Sequence, residues 1–598
     1  MTFQKIAPQR KLRRTAKKLA ILSALLSVLL YFAYQFFYSY TLTSSSYQTY
    51  SALRSDPCRS ACTGHLPAAS IADYRASNMP FAFILGAEND QLEVNPGQCV
   101  CVRVVVPPAE KHPKDLLANT TSMQQQQQTQ YRPLPMWPAD ALMVDLVQES
   151  SKMDDGTDDP LYFGARITVA VDNFRALGND RDVFKPHVFE GTARLYDPGT
   201  YVVDARVDAR NGQWNAEPGQ LTPAYLEETV ECRSRISVRR DHRHPTYLAR
   251  HQDLPLCAGG DNTGRWVPED NLPWHWKKWS YLYPAEDGRV WLPYWCRLRR
   301  ISHAEFVFHM SYAFPSIHWY GDSNSRRTLR PLVSAGKWCH CKSILERLDC
   351  LCNDAPKDLF PDEWYAGMPV PHWYRVHTHG INGSEIYLDL RTSDSGGGGS
   401  RTDPRPILEK DPTDERYLPD FVPPGYGNRN DFYDLFYLFT RGTQDMYGSY
   451  WARDITPATV ARYPKATLVV FQMVTWDVAF GHFDDFVRQT ALLVRRLKTV
   501  YPDARFVYRS GPFWCCRQAE GQDKKYSRLR FIAFDRHARG VFRRHLDAEI
   551  WDVMGPAGQR APESKRLDEN MPCRSAHSRA EVIHIDNQLL MNMLVNPL

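Results

Sequence analysis

Ser323 lies in the stretch Ile317-His318-Trp319-Tyr320-Gly321-Asp322-Ser323-Asn324-Ser325-Arg326-Arg327. A short apolar run ends in Gly-Asp-Ser, and a helix-compatible segment, 326–335, follows. A serine at a strand-to-helix turn can be held exposed, with its own N–H turned toward an anion. Gly321 is expected to allow the tight turn. The chemistry open to such a serine is nucleophilic attack on an acyl carbonyl, given a base and oxyanion donors. The serine follows Gly-Asp, so this is not the Gly-x-Ser-x-Gly elbow of α/β-hydrolases. By itself the tripeptide also describes an ordinary turn.

Other residue sets with chemical potential are poorer. Cys339, Cys341, Cys350 and Cys352 offer four thiolates, but their C-x-C spacing is tighter than the usual zinc pattern. Asp241-His242-Arg243-His244 and His377-Thr378-His379 read as loop histidines, and no metal is expected. Asp180-Arg181-Asp182 resembles the Asp-x-Asp of manganese-dependent Golgi glycosyltransferases, which keeps that reaction class as a third option.

The elements that must position Ser323 are legible after Tyr320. The run 466–474 is continuously apolar, as a buried parallel strand requires, and ends at Thr475-Trp476-Asp477. Helical periodicity covers 483–499, a strand 505–508, a basic amphipathic helix 527–546, a strand 548–553 and a closing helix 581–594. Alternating strands and helices predict an α/β domain with a doubly wound parallel sheet, whose ligands bind at the carboxyl ends of strands. Ser323, Asp477 and Ser510 fall at such ends. The stretch 380–430, with a Ser-Gly-Gly-Gly-Gly-Ser segment, reads as a flexible insertion.

Upstream, the segments 99–106, 165–171 and 200–207 alternate or are β-branched, and Tyr196-Asp197-Pro198-Gly199 is a turn. They predict a β-sandwich of immunoglobulin or filamin type over 81–210. A region rich in Trp, Pro and His, 211–284, connects it to the α/β domain at 285–598.

The N-terminus sets the compartment. Seven Lys and Arg crowd the basic tail, 1–18, and a charge-free run, 19–38, follows. Roughly 20 apolar residues span a bilayer, and the basic flank stays cytosolic. The expectation is an uncleaved signal anchor at 19–40 and a stem at 41–80. The remainder is then lumenal, in a single-pass type II protein of the Golgi or another secretory membrane. Asn119 and Asn382 head glycosylation sequons, and all fourteen cysteines lie beyond the apolar run, as disulfides in an oxidising compartment would. Cys58 and Cys62 read as a local loop. Cys515 and Cys516 need distant partners, with Cys573 a candidate for one. The net charge of +5 comes largely from the tail and makes no case for nucleic acid.

Four stretches, in order, resemble the PC-esterase group of SGNH-like proteins. They are Trp291-Leu292-Pro293-Tyr294-Trp295-Cys296-Arg297-Leu298-Arg299; Gly321-Asp322-Ser323 with Arg326-Arg327; the apolar strand ending in Trp476-Asp477; and His577 followed by Asn587-Gln588-Leu589-Leu590-Met591-Asn592. The group includes NXPE (neurexophilin and PC-esterase) proteins, trichome-birefringence-like polysaccharide O-acetyltransferases, and sialate or capsule O-acetyltransferases. The resemblance implies an O-acetyltransferase or acyl esterase acting on glycans, with no bound cofactor and with acetyl-CoA or an acyl intermediate as donor. Ser323 would be the nucleophile and His577 the base. Family members carry an acid three residues before that histidine, where this chain has Arg574. Asp568 or Glu569 are alternatives for the carboxylate. His584, preceded at that spacing by Glu581, is a competing base. The oxyanion would be held by the N–H of Ser323 with a neighbour such as Gly336. Arg326 and Arg327 would either bind an acidic sugar or be solvated on the first helix turns. The missing acid leaves open a binding or scaffold protein that kept the fold without catalysis.

Overall fold

The computed structural model describes residues 58–62, 80–106, 141–209 in part, 228–240, 251–272 in part, 289–333, 372–377, 384–388, 405–406, 431–443, 451–511 in part, 528–560 and 580–597. The chain divides into two compact units, Met1–Ser55 and Asp56–Leu598, and all described residues belong to the second. The apolar run 19–38, the sequons at Asn119 and Asn382, His577, Asp568, Glu569, Arg574 and Gly336 lie outside them. So do Asp180-Arg181-Asp182, Asp241-His242-Arg243-His244 and the cysteines from Cys339 onward. Among the described residues no helix is long and apolar enough to cross a membrane.

The first half is built of strands: β1 (Phe81–Ile84), β2 (Gln91–Val94), β3 (Gln98–Val106), β4 (Ala141–Ser150), β5 (Arg166–Thr168), β6 (Asn173–Ala176), β7 (His187–Leu195), β8 (Gly199–Ala209), β9 (Glu228–Thr229) and β10 (Arg235–Val238). They form two sheets, ordered β1-β3-β7-β6 and β2-β10-β8-β4-β5, with β9 paired to β8. Alternate residues of β3, Val100, Val102, Val104 and Val106, share one apolar cluster with Leu146, Val207 and Ile236 of the other sheet. This is the period-2 pattern that the sequence shows. The second sheet continues past residue 210, since β9 and β10 complete it.

The cysteines of this half correct one expectation. Cys58 and Cys62 do not close a local loop; they bond Cys99 and Cys101. The reason is a matched rise. Four residues along the 3₁₀ turn at Arg59–Cys62 and two along β3 advance by a similar ~6–8 Å, so the pairs align side by side. The turn also covers the buried Arg103, which donates to the Cys62 carbonyl at 2.8 Å and pairs with Glu190 at 2.6 Å.

A hairpin of β11 (Gly264–Pro268) and β12 (Arg289–Pro293) joins the halves. Asp197, in the turn between β7 and β8, lies 3.1 Å from Arg265 Nε and accepts from Tyr294 Oη at 2.6 Å. All three are buried. The Cys257–Cys296 disulfide pins the chain leading into β11 to the end of β12.

The second half runs α1 (His303–Ala313), β13 (Ser316–Gly321), α2 (Ser323–Val333), β14 (His372–His377), β15 (Ser384–Leu388), β16 (Arg405–Pro406), β17 (Phe432–Phe439), α3 (Pro457–Val460), β18 (Leu468–Phe471), α4 (Thr475–Phe480), α5 (Phe483–Val500), β19 (Arg505–Arg509), α6 (Arg528–Leu546), β20 (Glu549–Trp551), α7 (Met554–Arg560) and α8 (Ala580–Val595). The sheet order is β16-β15-β14-β17-β13-β18-β19-β20. Five neighbours, β17, β13, β18, β19 and β20, run parallel. Among these five the chain starts at β13, steps to β17 on one side, then returns to β18 on the other. The direction of winding therefore reverses between β13 and β18. Strands β15 and β16 fall in the stretch read as a flexible insertion; they extend the antiparallel edge.

Candidate active site

All six residues of β13 are buried, and the strand is bonded on both sides. Its end is fixed tightly: Gly321 O accepts from Thr440 N and from Tyr437 Oη, both at 3.0 Å. A Cβ at Gly321 would fall 2.3 Å from Ser325 Oγ and 2.5 Å from Ser325 Cβ. Gly321 is therefore required by close approach.

Asp322 follows as the N-cap of α2. Its carboxylate accepts from the N–H of Asn324 at 2.8 Å and of Ser325 at 3.4 Å. Burial pushes its pKa up, opposed by hydrogen bonds from Thr475 and Asn324 and by the Arg509 charge. Ser323 thus becomes the first residue of α2, half-buried at the sheet's carboxyl edge. The N–H groups of Asn324 and Ser325 are committed to Asp322 and are not available to a ligand.

Beneath the turn lies a buried polar network. Gln472, the residue after β18, accepts at Oε1 from Ser325 Oγ at 3.0 Å and from Arg509 Nη1 at 2.6 Å. Its Nε2 donates to Thr475 Oγ1 at 2.8 Å and to Asp322 at 3.3 Å. Arg509, at the end of β19, donates from Nη2 to Thr328 Oγ1 at 3.0 Å and pairs with Asp586 of α8 at 3.2 Å. Arg509 and Asp586 are 1% and 0% exposed. Sequence reasoning missed Gln472 and Asp586. The available signal was one polar residue inside an apolar strand end, and one acid on the apolar face of a helix.

At the rim, Arg326 stacks on Phe439 at 5.4 Å, and Arg441 lies over Phe439 at 6.0 Å and Trp476 at 5.2 Å. Phe439 is the register partner of Gly321, so Arg441 and Ser323 both stand two residues beyond the last paired position. All four rim residues are half-buried. Arg441 was not identified from sequence. Asp477 is fully buried and holds this loop: it accepts from Thr443 N at 2.9 Å and Thr443 Oγ1 at 2.8 Å. Gly442 packs so tightly on it that a Cβ would come within 2.7 Å of Oδ2. Arg327, read as bound to sugar or solvated, is 7% exposed and stands inside the protein.

The last motif stretch is mainly a clamp. Gln588 donates to Ile301 O and accepts from Ile301 N, at 2.8 and 3.1 Å. Asn592 does the same with Arg299, at 2.9 and 3.0 Å. Asn587 donates to Thr328 O at 3.0 Å, joining α8 to α2. His584 is half-buried within α8, two residues before Asp586, so the two side chains leave the helix in different directions. Glu581 occupies the second position of α8. The first stretch is structural too: Trp291 is buried in the core, and Cys296 is disulfide-bonded. Cys62, Cys101 and Glu190 would make a metal-sized donor set, but both sulfurs are joined in a disulfide.

A scan against protein-family models and a search of curated proteins each give no match.

Proposed function

We propose that the chain is a glycan O-acetyltransferase or acyl esterase of the secretory pathway, of SGNH-like PC-esterase type, with Ser323 as nucleophile. In this reading the parallel sheet is a doubly wound SGNH-like core, the strands before it an immunoglobulin- or filamin-like domain, and the run 19–38 a Golgi-type signal anchor. The observation that carries the proposal is the position of Ser323. It opens α2 at the carboxyl edge of the sheet, beside the reversal of winding between β13 and β18, where open α/β sheets bind ligands.

The steps follow from that position. Ser323 Oγ attacks the acyl carbonyl carbon while His577 takes the hydroxyl proton. The tetrahedral intermediate expels the donor's leaving group, which receives that proton, and an acyl-serine remains. A glycan hydroxyl, or water, then attacks; His577 takes its proton and returns it to Ser323 Oγ as the ester is released. Asp568 or Glu569 would orient the base, and the pair His584 and Glu581 is the alternative. Arg326, Arg441 and Trp476 suit the charge and the ring face of an acidic sugar. Arg574, in place of the family's acid, favours the second reading: a glycan-binding protein without turnover.

A fluorophosphonate probe and an acetyl-ester substrate decide between them. Wild-type chain should label at Ser323 and release acetate. Ser323→Ala should fold normally and lose both by more than about a thousandfold. Undiminished acetate release from Ser323→Ala removes the nucleophile assignment.

A further inference from the structure

Two carboxylates, Asp322 and Asp586, share one guanidinium, that of Arg509, and all three side chains are buried. With both acids ionised the group carries a net negative charge away from water, an unfavourable state. The Asp322 carboxylate accepts from Gln472 and from its backbone donors, which oppose the upward push of burial on its pKa. Asp586 is supported far less. Its Oδ2 pairs with Arg509 at 3.2 Å, while its Oδ1 meets no hydrogen-bond donor among the described residues. Among the described residues, the charges that act on it are Arg509 from β19 and Asp552 after β20, which Arg539 of α6 holds through both oxygens at 2.7 Å. From α2, Thr328 shares Arg509 Nη2, and the buried Arg327 lies one residue before it. On its own helix His584 projects elsewhere.

We propose that Asp586 is a one-proton switch that positions the Gly-Asp-Ser turn through Arg509 and Gln472. The inference rests on the reading of Ser323 as nucleophile for its consequence, but not for its existence. When Asp586 is ionised, the guanidinium is divided between Asp586 and the Gln472–Asp322 side. When Asp586 takes a proton, Asp322 is the remaining counter-charge, and Arg509 is drawn onto Gln472. Gln472 in turn holds Ser325 Oγ and the Asp322 carboxylate, so the turn carrying Ser323 tightens. Asp586 and Arg509 are positioning residues, since neither touches the reacting atoms. Burial first, then the Asp552 charge, pushes the Asp586 pKa up to about 7, against the pull of Arg509. The switch therefore operates near neutrality.

The test uses the whole chain and Asp586→Asn, which reproduces the protonated carboxyl in shape and charge. Infrared difference spectra should show a buried carboxyl titrating near pH 7 in the wild type and absent from the variant. Amide exchange of the peptide over 317–328, corrected for intrinsic rate, should rise about tenfold as pH passes through that range, the worth of one charge-assisted hydrogen bond. In Asp586→Asn it should stay at the slow level. Fluorophosphonate labelling of Ser323 should lose the same pH limb in the variant. No carboxyl titration near neutrality in the wild type overturns the proposal without need of a variant. So does an exchange profile that is the same in both proteins. If the exchange step appears and vanishes as described while Ser323 labels at no pH, the switch stands and the nucleophile reading falls.

Discussion

Asp322 spends its carboxylate on two backbone N–H groups and on Gln472, which makes it a residue of the fold as much as of the site. Replacing an N-cap acid by alanine costs about 1–2 kcal/mol. Here Gln472 also loses a buried partner. Asp322→Ala is expected to lower the urea midpoint and to slow Ser323 labelling together, whereas Ser323→Ala lowers labelling alone. A normal midpoint with lost labelling would instead give Asp322 a direct chemical task. Asp477 carries a parallel prediction for the rim. Its partners are Thr443 N and Oγ1, so Asp477→Ala leaves them unpaired at about 1–3 kcal/mol each. The effect should be a drop in thermal midpoint accompanied by weaker binding of acidic oligosaccharides, because Arg441 sits on the released loop. Unchanged binding in a destabilised Asp477→Ala would detach Arg441 from ligand recognition.

At the scale of elements, β18, α5, β19, α6, β20 and α8 were plain in the sequence because each has one dominant period, whereas β14 to β17 were not read from it. The expected strand within 466–474 is β18, the helix 483–499 is α5, and the helix 581–594 is α8, each displaced by a few residues at most. The position of Ser323 between β13 and α2 followed from the same patterns. The network below it did not. Gln472, Arg509 and Asp586 come from three elements, and only strand order brings them together; no local spacing encodes it. The Cys58 and Cys62 pairing was misread for a similar reason, since their partners are set by a strand packed across from them. The clamp of α8 was legible as a motif but not as a contact. Gln588 mimics a strand partner for Ile301, so Gln588→Ala orphans a buried N–H and a buried C=O. An unfolding penalty of about 2–4 kcal/mol is expected in urea titrations, with Gln588→Glu failing to restore it because the carboxylate cannot donate.

Over the molecule as a whole, pH acts through buried histidines. Burial lowers the pKa of His318 and His537 to about 4, and burial with the Arg265 and Arg297 charges lowers His251 to about 3. Each binds fewer protons folded than unfolded, where the value is about 6.5. Their stability contribution is present above that value and is lost as pH falls toward 4. His318 shows why. Its Nε2 donates to the Pro464 carbonyl, so Nδ1 must accept from Tyr501 Oη at 2.8 Å, and a second proton would break that bond. Asp586 acts oppositely, since its raised pKa makes stability fall as pH rises from about 4 to about 7. The denaturation midpoint should therefore decline on acidification below about 6.5, more steeply in Asp586→Asn than in the wild type, because the variant lacks the opposing slope. Equal slopes in the two proteins would contradict this. The Cys257–Cys296 bond, spanning a separation of 39 residues, should contribute about 3–4 kcal/mol, read as the midpoint shift of the double Cys→Ser variant.

The place of α8 in chain order has a consequence for synthesis. Leu589, Leu590, Met593 and Leu594 of this helix fill the same apolar cluster as Trp291, Trp319 and Trp551. Residues 299–301 wait for a segment translated almost three hundred positions later, and the polar layer under Ser323 and that cluster wait for the same segment. While the ribosome works through the interval, the nascent sheet shows an open greasy face to the chaperones around it. A chain stopped at residue 579 should consequently be captured and degraded, even though every strand of the sheet has already been made.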